Sequence, residues 1–349
     1  MNSEKIALNA RFYSHRPTGM QRYAMEMAAR LSDDLDVVRP KRPLRGAEGH
    51  AWEQAWLPGT VRGRLLWSPN NTGPLAVRRQ VCTIHDIIPL DCPEWFRANF
   101  SRWYEWLMPR LARRVQHVIA ISEFTKQRVM DRLGVPAERI TVIHNGVDGC
   151  FHPRSADEIA EVRQELAIPT PHYVLCLGSL EPRKNVGRLL AAWEQILERV
   201  PEDVHLVVAG ARGSSLVFSD VALERVPDRV HFTGYVKQER LPALYSGALA
   251  MVYPSLYEGF GLPPLEAMAC GAPVVTSSTT SIPEVTGDAA VLVDPANVEA
   301  IAAGMRRVIE DSSLRESLRR AGLERAKIFD WDEAAATTRA LLHQLVSQN

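Results

Sequence analysis

The strongest constraint on this chain is the alternation of short, continuously apolar runs with longer stretches of helical spacing. In the first half the runs are residues 6–10, 65–68, 81–85, 118–121 and 140–143. In the second they are residues 173–177, 205–209, 230–232, 250–253, 273–276 and 290–293. Helical patterns fall between them, over residues 21–31, 100–113, 123–133, 186–199, 264–269 and 298–310. Short unbroken apolar runs predict strands buried on both faces. Their alternation with helices predicts parallel sheets covered by crossover helices. The rhythm breaks once, over residues 154–171, a charged helix-like stretch that ends in Pro169-Thr170-Pro171. A chain of 349 residues has room for about two domains. The expected fold is therefore α/β: two Rossmann-like domains facing each other across a cleft. Their expected bounds are 1–168 and 169–330, with a C-terminal helix, 331–349, crossing back to the first. Trp331, after Phe329-Asp330, reads as the kink before that helix.

Charge and cysteine content narrow the function. No apolar run approaches the roughly 18 residues that a membrane-spanning helix needs, and residues 1–10 carry no signal-peptide core. The five cysteines show no CxxC spacing, which argues against a disulfide framework and a zinc site and for a reducing cytoplasm. Lys+Arg and Asp+Glu number 41 each, a balance that disfavours nucleic acid as a partner. The zero hides an asymmetry: residues 1–165 hold 24 basic and 19 acidic residues, leaving 17 and 22 for the rest. Either this is chance or the halves meet different partners.

Ligands of open α/β sheets sit beyond the carboxyl ends of the strands, so the loops there carry the candidate chemistry. After the first run come Arg16-Pro17-Thr18-Gly19 and a helix. This is not the dinucleotide fingerprint GxGxxG; Gly19 is either a plain turn glycine or a point where a phosphate reaches backbone N–H groups. His85 closes another strand, as a satisfied core histidine or as a functional one. The second half opens on Gly178-Ser179-Leu180-Glu181-Pro182-Arg183-Lys184-Asn185. A glycine, two cations and a helix start suit a diphosphate, Arg183 by bidentate contact and Lys184 as a point charge. A later strand leads into Glu258-Gly259-Phe260-Gly261-Leu262-Pro263-Pro264-Leu265-Glu266. Glu266 lies in an apolar helix start and needs a partner there; sugar hydroxyls suit a carboxylate.

The Glu258 and Glu266 pair, the run from Gly259 through Val275, Glu-Pro-Arg-Lys-Asn at residues 181–185, Asn145-Gly146-Val147-Asp148 and Phe232-Thr233-Gly234-Tyr235-Val236 together resemble the retaining GT-B glycosyltransferases of family 4. The resemblance spans nearly the whole chain. It implies a nucleotide-sugar donor held mainly by the second domain and an acceptor held by the first. By position, Arg183 and Lys184 would grip the donor diphosphate beside Gly178 and Ser179, and Gly19 would approach the phosphates. His85 would contact the transferred sugar. Glu258 would bind sugar hydroxyls and Glu266 the ribose, and backbone N–H groups of Phe260, Gly261 and Leu262 would hold phosphate or sugar oxygens. The chain departs from many relatives in having Ser179 where they have Arg, which puts more weight on Arg183, and in having Thr18-Gly19 in place of a Gly-Gly pair. The resemblance further implies front-face displacement, in which the leaving diphosphate takes the acceptor proton. Cations then take a metal's place, and neither a metal nor a cofactor is expected.

Trp52-Glu53-Gln54, Leu57-Pro58 and Ile84-His85-Asp86 look like bacterial mannosyltransferases of surface polysaccharide assembly, such as those of lipopolysaccharide, which suggests GDP-mannose as donor. A UDP-sugar, or a sugar-nucleotide epimerase of the same fold, are the alternatives. Residues 95–114 interleave Trp95, Phe96, Phe100, Trp103, Tyr104 and Trp106 with five arginines. Three readings fit: a peripheral contact with anionic lipid that brings a lipid-linked glycan acceptor to the inner face of the membrane, a face on which sugar rings stack, or an aromatic stripe buried in the core.

Overall fold

The computed structural model describes residues 5–14, 19–210 and 226–348. Arg16, Pro17 and Thr18 of the first loop lie outside them. Contacts divide the chain into two units: residues 1–91, 99–146 and 330–349 form unit 1, and residues 92–98 and 147–329 form unit 2.

Unit 1 holds a six-stranded parallel sheet of order β2-β1-β3-β4-β5-β6. The strands are β1 (Ile6–Asn9), β2 (Leu35–Val38), β3 (Leu66–Ser68), β4 (Gln80–Ile84), β5 (His117–Ala120) and β6 (Ile140–Val142). The expected apolar runs are all strands, and β1, β3, β4 and β5 are buried at every position. Strand β2 escapes the sequence reading because it is a sheet edge. Its Asp36 and Val37 point to solvent, so it never becomes a continuous apolar run. One face of the sheet packs Cys82, Ile84, Val118 and Ala120 against Met108, Leu111, Val129 and Leu133 from the helices Ala98–Arg114 and Glu123–Leu133. The second helix is bounded as its sequence dictates. Ser122 accepts from the Thr125 N–H at its start, and Gly134 closes it in the left-handed region.

The final helix, Trp331–Ser347, belongs to unit 1. Asp330 caps it by accepting from the Asp332 N–H, and its first residue, Trp331, is buried 5.9 Å from the Tyr23 ring. Arg339 and His343 both reach Asp34, each at 2.8 Å, and Arg30 reaches Asp332 at 2.6 Å. Gly146 lies so close to this helix that a Cβ there would stand 2.2 Å from the Trp331 backbone nitrogen.

Unit 2 repeats the architecture with order β12-β11-β10-β7-β8-β9. Its strands are β7 (His172–Leu177), β8 (Val204–Ala209), β9 (Val230–Gly234), β10 (Ala250–Tyr253), β11 (Val274–Ser277) and β12 (Ala290–Val293). Trp193, Leu189 and Leu190 from the helix Val186–Ile196 and Ile301, Met305 and Val308 from Val298–Glu310 fill one face. Unit 2 takes up the chain at Val147, upstream of the expected boundary at 168/169. The reason is the helix Ala156–Glu165. It has no strand to mark it in the sequence, yet its Ile159 packs closely on Gly247 of unit 2, and Arg240 pairs with Glu161 at 3.0 Å and Glu165 at 2.7 Å.

Candidate active site

In unit 2 the chain leaves β7 toward β8 and β9, then returns on the other side of β7 with β10. The switch point therefore lies between β7 and β10, and the place where ligands of such sheets bind is beyond their carboxyl ends. The loop after β7 supplies Gly178, Ser179, Glu181, Arg183 and Lys184; the loop after β10 supplies Ser255, Glu258, Phe260 and Gly261. Asn185 ties them together. It adopts a left-handed conformation (φ 61°), which Asn tolerates, and its Nδ2 donates to the carbonyls of Pro254 (2.9 Å) and Pro295 (2.7 Å).

Glu258 is the hub. Arg183 Nη1 donates to both of its oxygens, at 2.8 and 2.9 Å. Lys184 Nζ donates to Oε1 at 2.8 Å, and the hydroxyls of Tyr253 and Ser255 each lie 2.7 Å from the same oxygen. Lys184 also donates to the Tyr253 hydroxyl and lies over that ring, 4.7 Å from its centre. Arg183 turns its Nε to Glu181 at 2.9 Å, and Ser179 donates to the other oxygen of Glu181. Ser281 donates into the backbone of the same loop, 2.9 Å from the Glu258 carbonyl and 2.8 Å from that of Phe260.

These groups set each other's charge. Burial would push the Glu258 carboxyl up, but Arg183 and Lys184 hold it at about 2. Burial and the adjacent Arg183 pull the Lys184 ammonium below its ordinary value, against Glu258 and Glu181. Burial and the Glu258 charge push the Tyr253 phenol well above the usual tyrosine range, so it stays protonated and donates. Two cations thus face two carboxylates, and the set carries no net charge. Lys184 and Glu258 are each 8% exposed, so the cluster is a desolvated ion network, in which removing one member strands the rest.

Gly261 (φ +117°) ends this loop in the left-handed region and caps the helix Leu262–Ala269. Leu262 is the first residue of that helix, where backbone N–H groups have no intrahelical acceptor. Glu266 lies one turn further on and is 4% exposed; Tyr245 donates to it at 3.1 Å. Its buried carboxylate is thus satisfied by a different partner from that of Glu258.

The two remaining sequence-selected residues belong to unit 1. Gly19 opens the helix Gly19–Arg30. His85 is 4% exposed and packs edge-on to Tyr23, 4.8 Å between ring centres. Its Nε2 lies 2.7 Å from the Pro69 carbonyl, which can only accept, so the proton sits on Nε2. Burial lowers its pKa to about 4, and the ring is neutral at pH 7.

Sequence reasoning did not single out Glu181, Tyr253, Ser255 or Ser281. Glu181 was visible, lying between two cations of the same motif. Tyr253 and the serines carry no spacing signal and gain their roles from the three-dimensional meeting of two loops. Unit 1 has its own unread centre at its switch point between β1 and β3. There the buried Glu53 accepts from Asn9 Nδ2 at 2.7 Å and from the Thr72 hydroxyl at 3.1 Å, with Arg11 at 3.5 Å. The triplet Asp34-Leu35-Asp36 has the Asp-x-Asp spacing of a metal motif, but its carboxylates have separate partners: Asp34 takes the Arg339 guanidinium and the His343 ring, and Asp36 takes Arg64 at 2.5 Å.

Comparison with known proteins identifies the family and the fold. Residues 158–325 match the profile of the glycosyl transferases group 1, and residues 66–149 that of glycosyltransferase family 4. The O-antigen chain mannosyltransferase B of Escherichia coli is 35% identical over 295 residues, covering 83% of this chain and 76% of that protein. The serotype-specific mannosyltransferase WbdA of Escherichia coli is 31% identical over 269 residues, 74% of this chain, which thus spans only 32% of WbdA. Among solved structures, HepE of Anabaena in complex with UDP and glucose superposes with a TM-score of 0.75 at 21% identity, over 97% of this chain and 99% of that one. The chain belongs to the family 4 glycosyltransferases, with their two-domain GT-B fold.

Proposed function

We propose that this protein transfers mannose from GDP-mannose, with retention of configuration, to a glycan or lipid-linked glycan acceptor in the assembly of a cell-surface polysaccharide. The observation that carries the reading is the Arg183, Lys184 and Glu258 network at the switch point of unit 2. Relatives named as O-antigen mannosyltransferases support the sugar and the setting.

In the proposed reaction an acceptor hydroxyl attacks C1 of the donor sugar from the face that the diphosphate leaves. The C1–O bond to the diphosphate breaks, and a phosphate oxygen takes the hydroxyl proton. Arg183 and Lys184 stabilise the charge that grows on the leaving group, which is the largest service a site can render here and the one a metal supplies elsewhere. Glu258 keeps both cations in place and accepts from sugar hydroxyls, and Glu266 serves the ribose. His85, neutral and fixed by Pro69, presents a hydrogen-bonding edge to the transferred sugar and carries no charge into the reaction. A retaining hydrolase would instead need two carboxylates about 5 Å apart, one of them a nucleophile. Glu258, held by four donors, is a poor nucleophile.

The test is a donor screen. GDP should raise the unfolding temperature more than UDP or ADP, since binding to the native state alone stabilises it. GDP-mannose with a mannosylated acceptor should give an α-linked product without added metal. A larger shift with UDP and turnover of a UDP-sugar would overturn the donor assignment; a β-linked product would overturn retention; and loss of activity in chelator would overturn metal independence. Conversion of a nucleotide sugar without acceptor would instead identify an epimerase.

A further inference from the structure

Unit 1 carries a cavity that the transfer chemistry of unit 2 does not use. It has a volume of about 530 Å³ and is lined by Ala10, Tyr13 and Ser14 on one side and by residues 39–43 on the other. This is within the usual range for small-molecule sites, and it lies beyond the carboxyl ends of the adjacent parallel strands β1 and β2, where ligands of such sheets collect.

Its chemistry is one-sided. Arg39, Lys41 and Arg42 line it, and no carboxylate does among the described residues. Arg39 and Lys41 form no ion pair among the described residues. Arg42 has a loose one, 3.6 Å from Glu48, with both side chains more than two-thirds exposed. The Tyr13 ring, 46% exposed, adds a hydroxyl donor.

The walls are braced. Arg45 Nε donates to the Ser14 carbonyl at 3.1 Å, tying one wall to the segment that follows the other. The turn Arg11–Ser14 is anchored from beneath, where Arg11 lies between the buried Glu53 carboxylate (3.5 Å) and the Thr72 hydroxyl (3.0 Å). A buried carboxylate thus holds a turn whose outer face meets three cations that no buried acid neutralises.

We propose that this cavity binds a phosphoryl or diphosphoryl group carried by the acceptor. The inference rests on the glycosyltransferase reading and adds the acceptor's chemical class: an anionic glycan conjugate, recognised by charge at a point away from its reacting hydroxyl. Three cations lining one cavity, with no carboxylate among its described lining residues, suit phosphate oxygens and offer little to a neutral sugar.

The experiment uses the full chain and inorganic pyrophosphate as probe, titrated by calorimetry. Lys184→Met removes a cation from the unit 2 site, and pyrophosphate binding should persist in that variant. Adding Arg39→Gln, Lys41→Gln and Arg42→Gln should weaken it about tenfold or more. In kinetics, the triple Gln variant with Lys184 intact should raise KM about tenfold for a lipid-diphosphate-linked glycan, while KM for the donor and for the same glycan without phosphate stays put. Loss of all pyrophosphate binding with Lys184→Met alone would overturn the proposal, as would an equal rise in KM for the neutral glycan. A third arm uses vesicles of anionic phospholipid without acceptor. If the triple variant loses vesicle binding but not pyrophosphate binding, the cations read a membrane surface and the proposal falls. If no sugar transfer is seen with any donor, the reading of unit 2 fails, while the pyrophosphate titration still decides this one.

Discussion

Lys184 shows how one side chain can be held out of reach of water and still be charged. Its ammonium is buried, yet Glu258 lies at 2.8 Å and keeps it paired. Lys184→Met keeps the aliphatic stem that crosses the Tyr253 ring and deletes the charge. Turnover should fall about 10²-fold or more, the scale of losing one preorganised donor to a leaving group, with the fold kept but the unfolding temperature lowered, because Arg183 alone then faces the buried carboxylates of Glu181 and Glu258. Steady-state kinetics beside a thermal melt checks both halves. His85 makes the opposite case, a titratable group kept uncharged. Its folded pKa of about 4 lies below its unfolded value near 6.5, so the unfolded chain binds the extra proton first. Stability should therefore drop as pH falls from 6.5 toward 4, by about 3 kcal/mol for the full shift. His85→Gln, whose amide can still donate to Pro69, should flatten that part of the profile in urea titrations at pH 7 and pH 5. An unchanged slope would assign the acid sensitivity elsewhere. At this scale the sequence was half legible. Arg183, Lys184 and Glu258 stood out by type and spacing, whereas Tyr253 and Ser255 join them only because Asn185 clamps two loops that lie about 70 residues apart.

Elements were the most legible level. Strands buried on both faces announce themselves as unbroken apolar runs, and the helix Glu123–Leu133 matched its expected bounds because Ser122 and Gly134 are strong stop signals. Strand β2 was lost for the reason that makes it a safe edge: half of it faces water. Gly146 carries an element-scale consequence that its position alone could not show. In Gly146→Ala the new methyl would meet backbone at Trp331, not a side chain that could move aside. The expected cost is about 3 kcal/mol, seen as a lower denaturation midpoint and faster proteolysis of the helix Trp331–Ser347. Asp330→Ala should cost about 1 kcal/mol by removing the cap of the same helix.

For the molecule as a whole, neutrality conceals an uneven distribution of charge. The first half carries the excess of cations and the second the excess of acids. Unit 2 reaches local balance at its switch point by pairing Arg183 and Lys184 with Glu181 and Glu258. Truncation after Phe329 should destabilise unit 1, because Trp331 and the Asp34 ion pairs leave with the helix. The calorimetric transition that responds to nucleotide should persist, and its loss would place the helix in the support of unit 2 instead. The units are interleaved in sequence, and this sets the order in which the protein can be born. The helix that completes unit 1 is translated roughly 180 residues after Gly146, some 10–40 s later at ordinary elongation rates. By the end of that interval unit 2 has its whole sheet, while the surface around Tyr23 still waits for its Trp331. The N-terminal half begins first and finishes last, so a chaperone, or slow exit from the ribosome, should matter most for unit 1.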